Sequence, residues 1–262
     1  MTYLLVGAAA FGASMLTFLS GFGLGTLLLP VFAVFFPLPV AVAATAVVHL
    51  ANNLFKLGLM WRYARGRIIL RFGLPAAAAA VAGAWLLLRL AHLPLLASYT
   101  LGSRTLEVQP VALVLALLMV GFALLDLLPA FERVRFEARW LELGGALSGF
   151  FGGLSGHQGA LRAAFLAKSG LDRDGFVGTS IVCAVIVDCV RLAVYGSGFF
   201  AHPFATLAEH GGGRLVVVAT LAAFAGAWIG RKLLHKMTLR RVQRVVGAML
   251  IVLAVAIGSG LV

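Results

Sequence analysis

The sequence predicts an all-α polytopic membrane protein built as two inverted repeats, each a glycine-broken helical hairpin followed by three transmembrane helices. Three observations carry that reading. The 262 residues are 62% hydrophobic and 11% charged, whereas a soluble domain is about half apolar and about a quarter charged. The apolar excess falls in blocks near the roughly 20 residues a helix needs to cross a bilayer. The basic residues gather in alternate links between blocks, and a shift of about 135 residues (Ser20 onto Ser155) lays one half of the chain on the other.

The first block, 2–20, is long enough to span, and GFGLG at 21–25 splits it from a short apolar run at 24–36. It has no basic leader and no convincing small-residue cleavage site, so it reads as a retained segment and not as a signal peptide. Blocks 40–61, 69–88 and 108–128 supply three spans. The pattern then restarts: GLSGHQG at 153–159 splits 141–155 from 157–167, and 176–198, 214–230 and 242–261 follow. The second member of each split pair is too short to cross alone. Glycine-broken backbone at membrane depth is tolerated only inside protein or beside a wet cavity, so both breaks are expected at the centre of the molecule. The chain is then one transmembrane domain, 1–262, with repeat one over about 1–128 and repeat two over about 136–262.

If each split pair enters and leaves on the same side, links 62–71, 129–139, 168–175 and 231–244 share one side. That side holds Arg62, Arg65, Arg67, Arg71, Arg133, Arg135, Arg139, Lys168, Arg173, Arg231, Lys232, Lys236, Arg240, Arg241 and Arg244, against Arg89, Arg104 and Arg214 opposite. Counting each pair as a single crossing divides the same residues almost evenly. The positive-inside rule therefore selects the hairpins and puts both termini outside the cytoplasm, in the inner (plasma) membrane. The net charge of +12 is an orientation signal of this kind; no RNP motif, zinc-finger spacing or separate basic domain suggests nucleic acid. The lipid bilayer is the expected partner, and the sequence leaves the oligomeric state open.

The same shift places Gly21 on Gly156, Thr45 on Ser180, Asn53 on Asp188 and Lys56 on Arg191. Three spans per half is an odd number, so the second half is inverted, as in many secondary transporters. In the block 40–61, Thr45, His49, Asn52, Asn53 and Lys56 recur at spacings of three and four and share one helix face. Ser180, Asp188 and Arg191 occupy the matching face in the second half. A polar stripe of this kind must point into the bundle. It serves either as interhelical glue, with Asp188 and Arg191 neutralising each other, or as a binding face. Lys56 could also snorkel to the surface near Arg62.

The stretch GGLSGHQGALRAAF at 152–165 sets His157, Gln158 and Arg162 into glycine-rich surroundings. Gly152, Gly153, Gly156 and Gly159 let backbones approach and leave amides open at the start of a helix, a position that favours an anion. Gln158 and Arg162 lie four apart on one face, where Arg162 adds a planar charged fork. The other break, with Gly21, Gly23 and Gly25, offers amides from the opposite side. Together the breaks make a positive midplane pocket for a small anion, held by Arg162, Gln158, His157, Gly156, Gly159, Gly21, Gly23, Gly25, Asn52, Asn53, Lys56 and Arg191. Asp188 and His49, or His157, are candidates for proton coupling. The alternative readings pair Arg162 with Glu142 and make His157 a neutral hydrogen-bond donor. Cys183 and Cys189 share one apolar block and read as two buried thiols. No metal site, cofactor motif, HExxH, Walker loop, GxSxG or carboxylate cluster is found, which argues against an enzyme. An anion channel or a non-transporting assembly subunit are the other readings.

GFGLGTLLLP at 21–30 followed by Pro37, Pro39 and Thr45 resembles the first repeat of the sulfite exporter TauE/SafE family of permeases. The glycine-rich stretch at 149–159 followed by GTS at 178–180 resembles its second repeat. The resemblance covers almost the whole chain and implies transport of sulfite, a sulfonate or another small organosulfur anion. Two departures stand out: His157 and Gln158 interrupt the glycines, and Phe165 stands where that family commonly has proline.

Overall fold

The computed structural model describes residues 2–20, 24–36, 38–127, 135–198, 212–232 and 239–261. Gly21 and Gly23 of the first break, and Arg133 and Lys236 of the basic links, lie outside the described residues. Ten α-helices stand among the described residues: α1 (Thr2–Ser20), α2 (Leu24–Ala33), α3 (Leu38–Met60), α4 (Gly66–Ala91), α5 (Pro110–Leu127), α6 (Leu141–Ser155), α7 (Gly159–Leu166), α8 (Arg173–Gly198), α9 (Gly212–Lys232) and α10 (Leu239–Gly258). Of these, α3, α4, α8 and α9 are long and apolar enough to cross a membrane. The second expected break is present, between α6 and α7; the first falls at residues 21–23, outside the described residues.

Each hairpin makes its main packing contact with a helix far away in sequence, α6 against α4 and α1 against α9. Glycines set both contacts. Gly145, Gly149 and Gly153 recur every fourth residue along α6, and a β-carbon on each would fall on the carbonyl oxygens of Phe72, Ala76 and Ala80 in α4. On α9, Gly226 and Gly230 meet the carbonyls of Phe11 and Met15 in α1 in the same way. Small residues at this spacing let helix backbones touch, which is how helices associate where lipid supplies no hydrophobic drive.

These contacts also fix directions. The matched numbers rise together, so α1 runs parallel to α9 and α6 parallel to α4. In α10, Gly258 meets Ala116 and Gly247 meets Leu127, so α10 runs antiparallel to α5. Met60 and Ala227 share one apolar cluster, while Phe55 stacks on Phe224 at 4.7 Å, so the end of α3 lies level with the end of α9. Arg62, Arg65, Arg67, Arg71, Arg139, Arg231 and Lys232 therefore gather at one end of the bundle. Arg71 ties two of these links together by donating to Glu142 Oε1 at 2.6 Å and to Ala138 O at 3.2 Å. Glu137 bridges to Lys168, which brings in a third link.

The opposite end carries an element absent from the reading of the sequence. Strands β1 (Ala97–Leu101) and β2 (Arg104–Val108) form an antiparallel hairpin with Leu101 opposite Arg104. Gly102, at φ 62°, starts its two-residue turn, a position that favours glycine. Tyr99 Oη donates to Ser259 O at 2.6 Å, which seats the hairpin on the end of α10. The two cysteines also differ from expectation: Cys183 is buried and Cys189 is exposed. Six residues leave them about 120° apart around a helix, so a single packed face buries one and not the other.

Candidate functional site

The polar stripe of α3 faces inward throughout: Thr45, His49, Asn52, Asn53 and Lys56 are all buried. Lys56 is only 5% exposed, so it does not snorkel. A buried ammonium needs polar neighbours, and the Asn52 amide fits its surroundings with Oδ1 accepting from Lys56 Nζ at 3.2 Å and Nδ2 donating to Ala223 O at 3.2 Å. Across from α3, helix α8 presents Ser180, Asp188 and Arg191, also buried.

Asp188 is the hub. Its side chain is fully buried, and it draws on three elements. From α3, His49 Nδ1 donates to Oδ2 at 2.7 Å and Asn53 Nδ2 donates to the same oxygen at 2.8 Å. With its proton given to the carboxylate, His49 Nδ1 cannot also accept, so Asn53 Nδ2 at 3.1 Å is a neighbour and not a second partner. From the second break, Gln158 Nε2 donates to Oδ1 at 3.3 Å. Arg191 Nη2, one helical turn along α8, lies 3.0 Å from Oδ1 as an ion pair. The angle there is too poor for a hydrogen bond, and both Nη2 and Nε of this buried guanidinium make none.

The break supplies the other wall. Gly156 closes α6 in the left-handed region at φ 81°, with its N–H donating to Gly152 O at 2.9 Å. A β-carbon there would meet Arg191 Nη1. The Gln158 N–H donates to Gly156 O at 3.0 Å, so the amides of Gly156 and Gln158 are not open, contrary to expectation. What remains is the first turn of α7, from Gly159 on, which no side chain caps. Arg162 projects from that turn, with Nη1 donating to Gln158 Oε1 at 2.9 Å and Nε to Ser180 Oγ at 2.7 Å. Its partner is therefore not Glu142, which sits at the far end of α6 on Arg71. Arg162, Gln158, Asp188 and Arg191 thus form one unbroken polar chain, and Lys56 lies within electrostatic reach of Arg162.

His157 is buried and stacks on Phe122 at 5.5 Å. Ser155 Oγ gives its own proton to Phe151 O, so His157 Nδ1 must be the donor toward Ser155, 3.1 Å away. Nε2 then carries a lone pair with no hydrogen-bond partner. In this tautomer His157 is a neutral donor toward Ser155 through Nδ1 and keeps an acceptor at Nε2. From the first break, Gly25 is in place: a β-carbon on it would lie 3.4 Å from His49 Cδ2.

A model of the sulfite exporter TauE/SafE family matches residues 6–257, a stretch that takes in both breaks and both polar helix faces. The chain belongs to that family. No curated protein and no solved structure matches it. TauE/SafE proteins are membrane transporters, and the long apolar helices of this one are those of a multi-pass membrane protein. Three features of this TauE/SafE chain were missed in its sequence. Tyr195 donates to Gly153 O and pins the end of α6 to α8; only its place one turn after Arg191 could have suggested this. Ser148 Oγ donates to Gln158 O at 2.9 Å and folds the break back on α6. Ser14 Oγ, in α1, lies 3.1 Å from Asn52 Nδ2 and carries the polar network to the first hairpin.

Proposed function

We propose that this TauE/SafE protein is a secondary transporter that binds one small anion, sulfite, a sulfonate or another organosulfur anion, between its two glycine breaks. It acts by binding and translocation and not by turnover. The observation that carries the reading is Arg191: a guanidinium 2% exposed, beside the left-handed glycine, with Nε and Nη2 making no hydrogen bond. Leaving donors of a buried charge unmet is costly, and an oxyanion is the ligand that meets them in a fork. Arg162 and Gln158 line the same polar chain, with Asn52, Asn53, Lys56 and the first turn of α7 around it.

Two packing features support an inverted repeat. Each hairpin embraces a helix of the other half through glycines spaced by four. Asn53 and Asp188, matched by the 135-residue shift, bond to each other, as equivalent residues do near a two-fold axis. Both termini then lie outside the cytoplasm, opposite the basic end. Proton coupling would run through the His49–Asp188 pair. An unchanged pH profile of flux on replacing His49, His157 and Asp188 together would remove that part of the proposal.

The experiment is thermal unfolding of detergent-purified protein against sulfite, sulfate, thiosulfate, sulfoacetate, taurine and simple carboxylates. At a hundredfold excess over Kd, one of them raises the unfolding temperature by about 5 °C or more. Folded Arg191→Gln and Arg162→Ala proteins lose that rise. Equal stabilisation in the variants would demote both arginines to scaffolding.

A further inference from the structure

The two oxygens of Asp188 are held unequally. Oδ2 takes two short, well-aligned bonds from α3, 2.7 Å from His49 and 2.8 Å from Asn53. Oδ1 takes a long bond from Gln158 at 3.3 Å and a misaligned approach from Arg191 at 3.0 Å. The tight side ties two long helices together. The loose side faces the groups that the anion reading assigns to the ligand.

We infer that the Asp188 carboxylate is a resident competitor for the transported anion: in the ligand-free protein its Oδ1 holds Gln158 and Arg191, and an entering anion takes both while Oδ2 stays on His49 and Asn53. This rests on the anion-site reading above. The physical reason is charge. An anion bound by Arg191 and Gln158 sits beside a second negative charge in a poorly solvated interior, where repulsion is weakly screened. That repulsion lowers affinity and hastens departure. A carrier site must bind well enough to load and weakly enough to release, and a fixed carboxylate at the donors it shares with cargo sets that balance. Because Oδ2 is anchored separately, the exchange leaves the α3–α8 contact intact in both states.

Asp188→Asn keeps the shape and the Oδ2-type acceptor for one α3 donor, and removes the charge. Full-length protein, wild type, Asp188→Asn and Arg191→Gln, is titrated with sulfite, and with sulfate as an anion that does not titrate near neutrality. The expected result is sulfite binding at least tenfold tighter in Asp188→Asn, with slower flux in vesicles, and loss of binding in Arg191→Gln. Unchanged or weaker binding in folded Asp188→Asn, with loss in Arg191→Gln, overturns the competitor and leaves the anion site standing. Binding equal to wild type in Arg191→Gln, or no binding by wild type, overturns the site and the competitor with it. Infrared difference spectra of wild type carrying ¹³C-labelled aspartate need no variant at all. Sulfite must shift an aspartate carboxylate stretch, and spectra without that shift overturn the inference.

Discussion

Gly156 stands at φ 81° with Arg191 Nη1 where a β-carbon would go. An alanine there takes on a left-handed backbone penalty of about 1–2 kcal/mol and pushes the guanidinium aside. Gly156→Ala is expected to lower the thermal midpoint by a few degrees and to weaken sulfite binding more than stability, as paired unfolding and titration curves would reveal; a stability loss with unchanged affinity would separate Gly156 from the site. The identity of the polar face was legible at this scale, because Thr45, His49, Asn52, Asn53 and Lys56 follow helical spacing and nothing else in an apolar block explains them. The partners were not. Ser180 as the acceptor for Arg162, and Arg71 in place of Arg162 for Glu142, depend on how far α7 folds back along α6. The tautomer of His157 follows from one serine proton given to Phe151. Neither leaves a trace in residue order.

The helix pairs α4–α6 and α1–α9 are held by glycines against bare carbonyls. Gly149→Ala and Gly226→Ala each insert a methyl into a backbone contact, and overpacking of this kind costs about 1–3 kcal/mol. The two lie in different interfaces, so their effects on unfolding in detergent should add; marked non-additivity would mean the interfaces are coupled. The spacing is present in the sequence, with glycines at 145, 149 and 153 and at 226 and 230, but it does not say which helix each glycine face meets. The β-hairpin was missed for another reason. Its strands are five residues each, too short to stand out between long apolar blocks, although Gly102-Ser103 between alternating residues is a hairpin signal. Helix ends differ from the apolar blocks by a few residues, because α8 starts at Arg173 and α9 ends at Lys232, charged residues that hydropathy excludes.

Across the whole molecule, the described helices put the basic links at one end and the β-hairpin with the chain's last helical turn at the other. An alkaline phosphatase fused after Val262 is therefore expected to be active in intact cells, and a green fluorescent protein fused there dark; the reverse pattern would invert the topology. The gathering of basic residues at one end was legible because charge asymmetry acts on the entire chain and survives errors in any one boundary. The second break was legible because glycine and length together admit few alternatives at membrane depth. How the hairpins exchange partners was not, since no local pattern says that α6 belongs with α4.

Cys189 is exposed, follows Asp188 directly, and shares its helix with a buried Cys183. It is a ready attachment point for a nitroxide or a fluorophore on the outer face of α8. Such a label, placed on the native sequence, would report rotation or tilt of the helix that carries the carboxylate as an anion is added, by line shape or by quenching from brominated lipid tails.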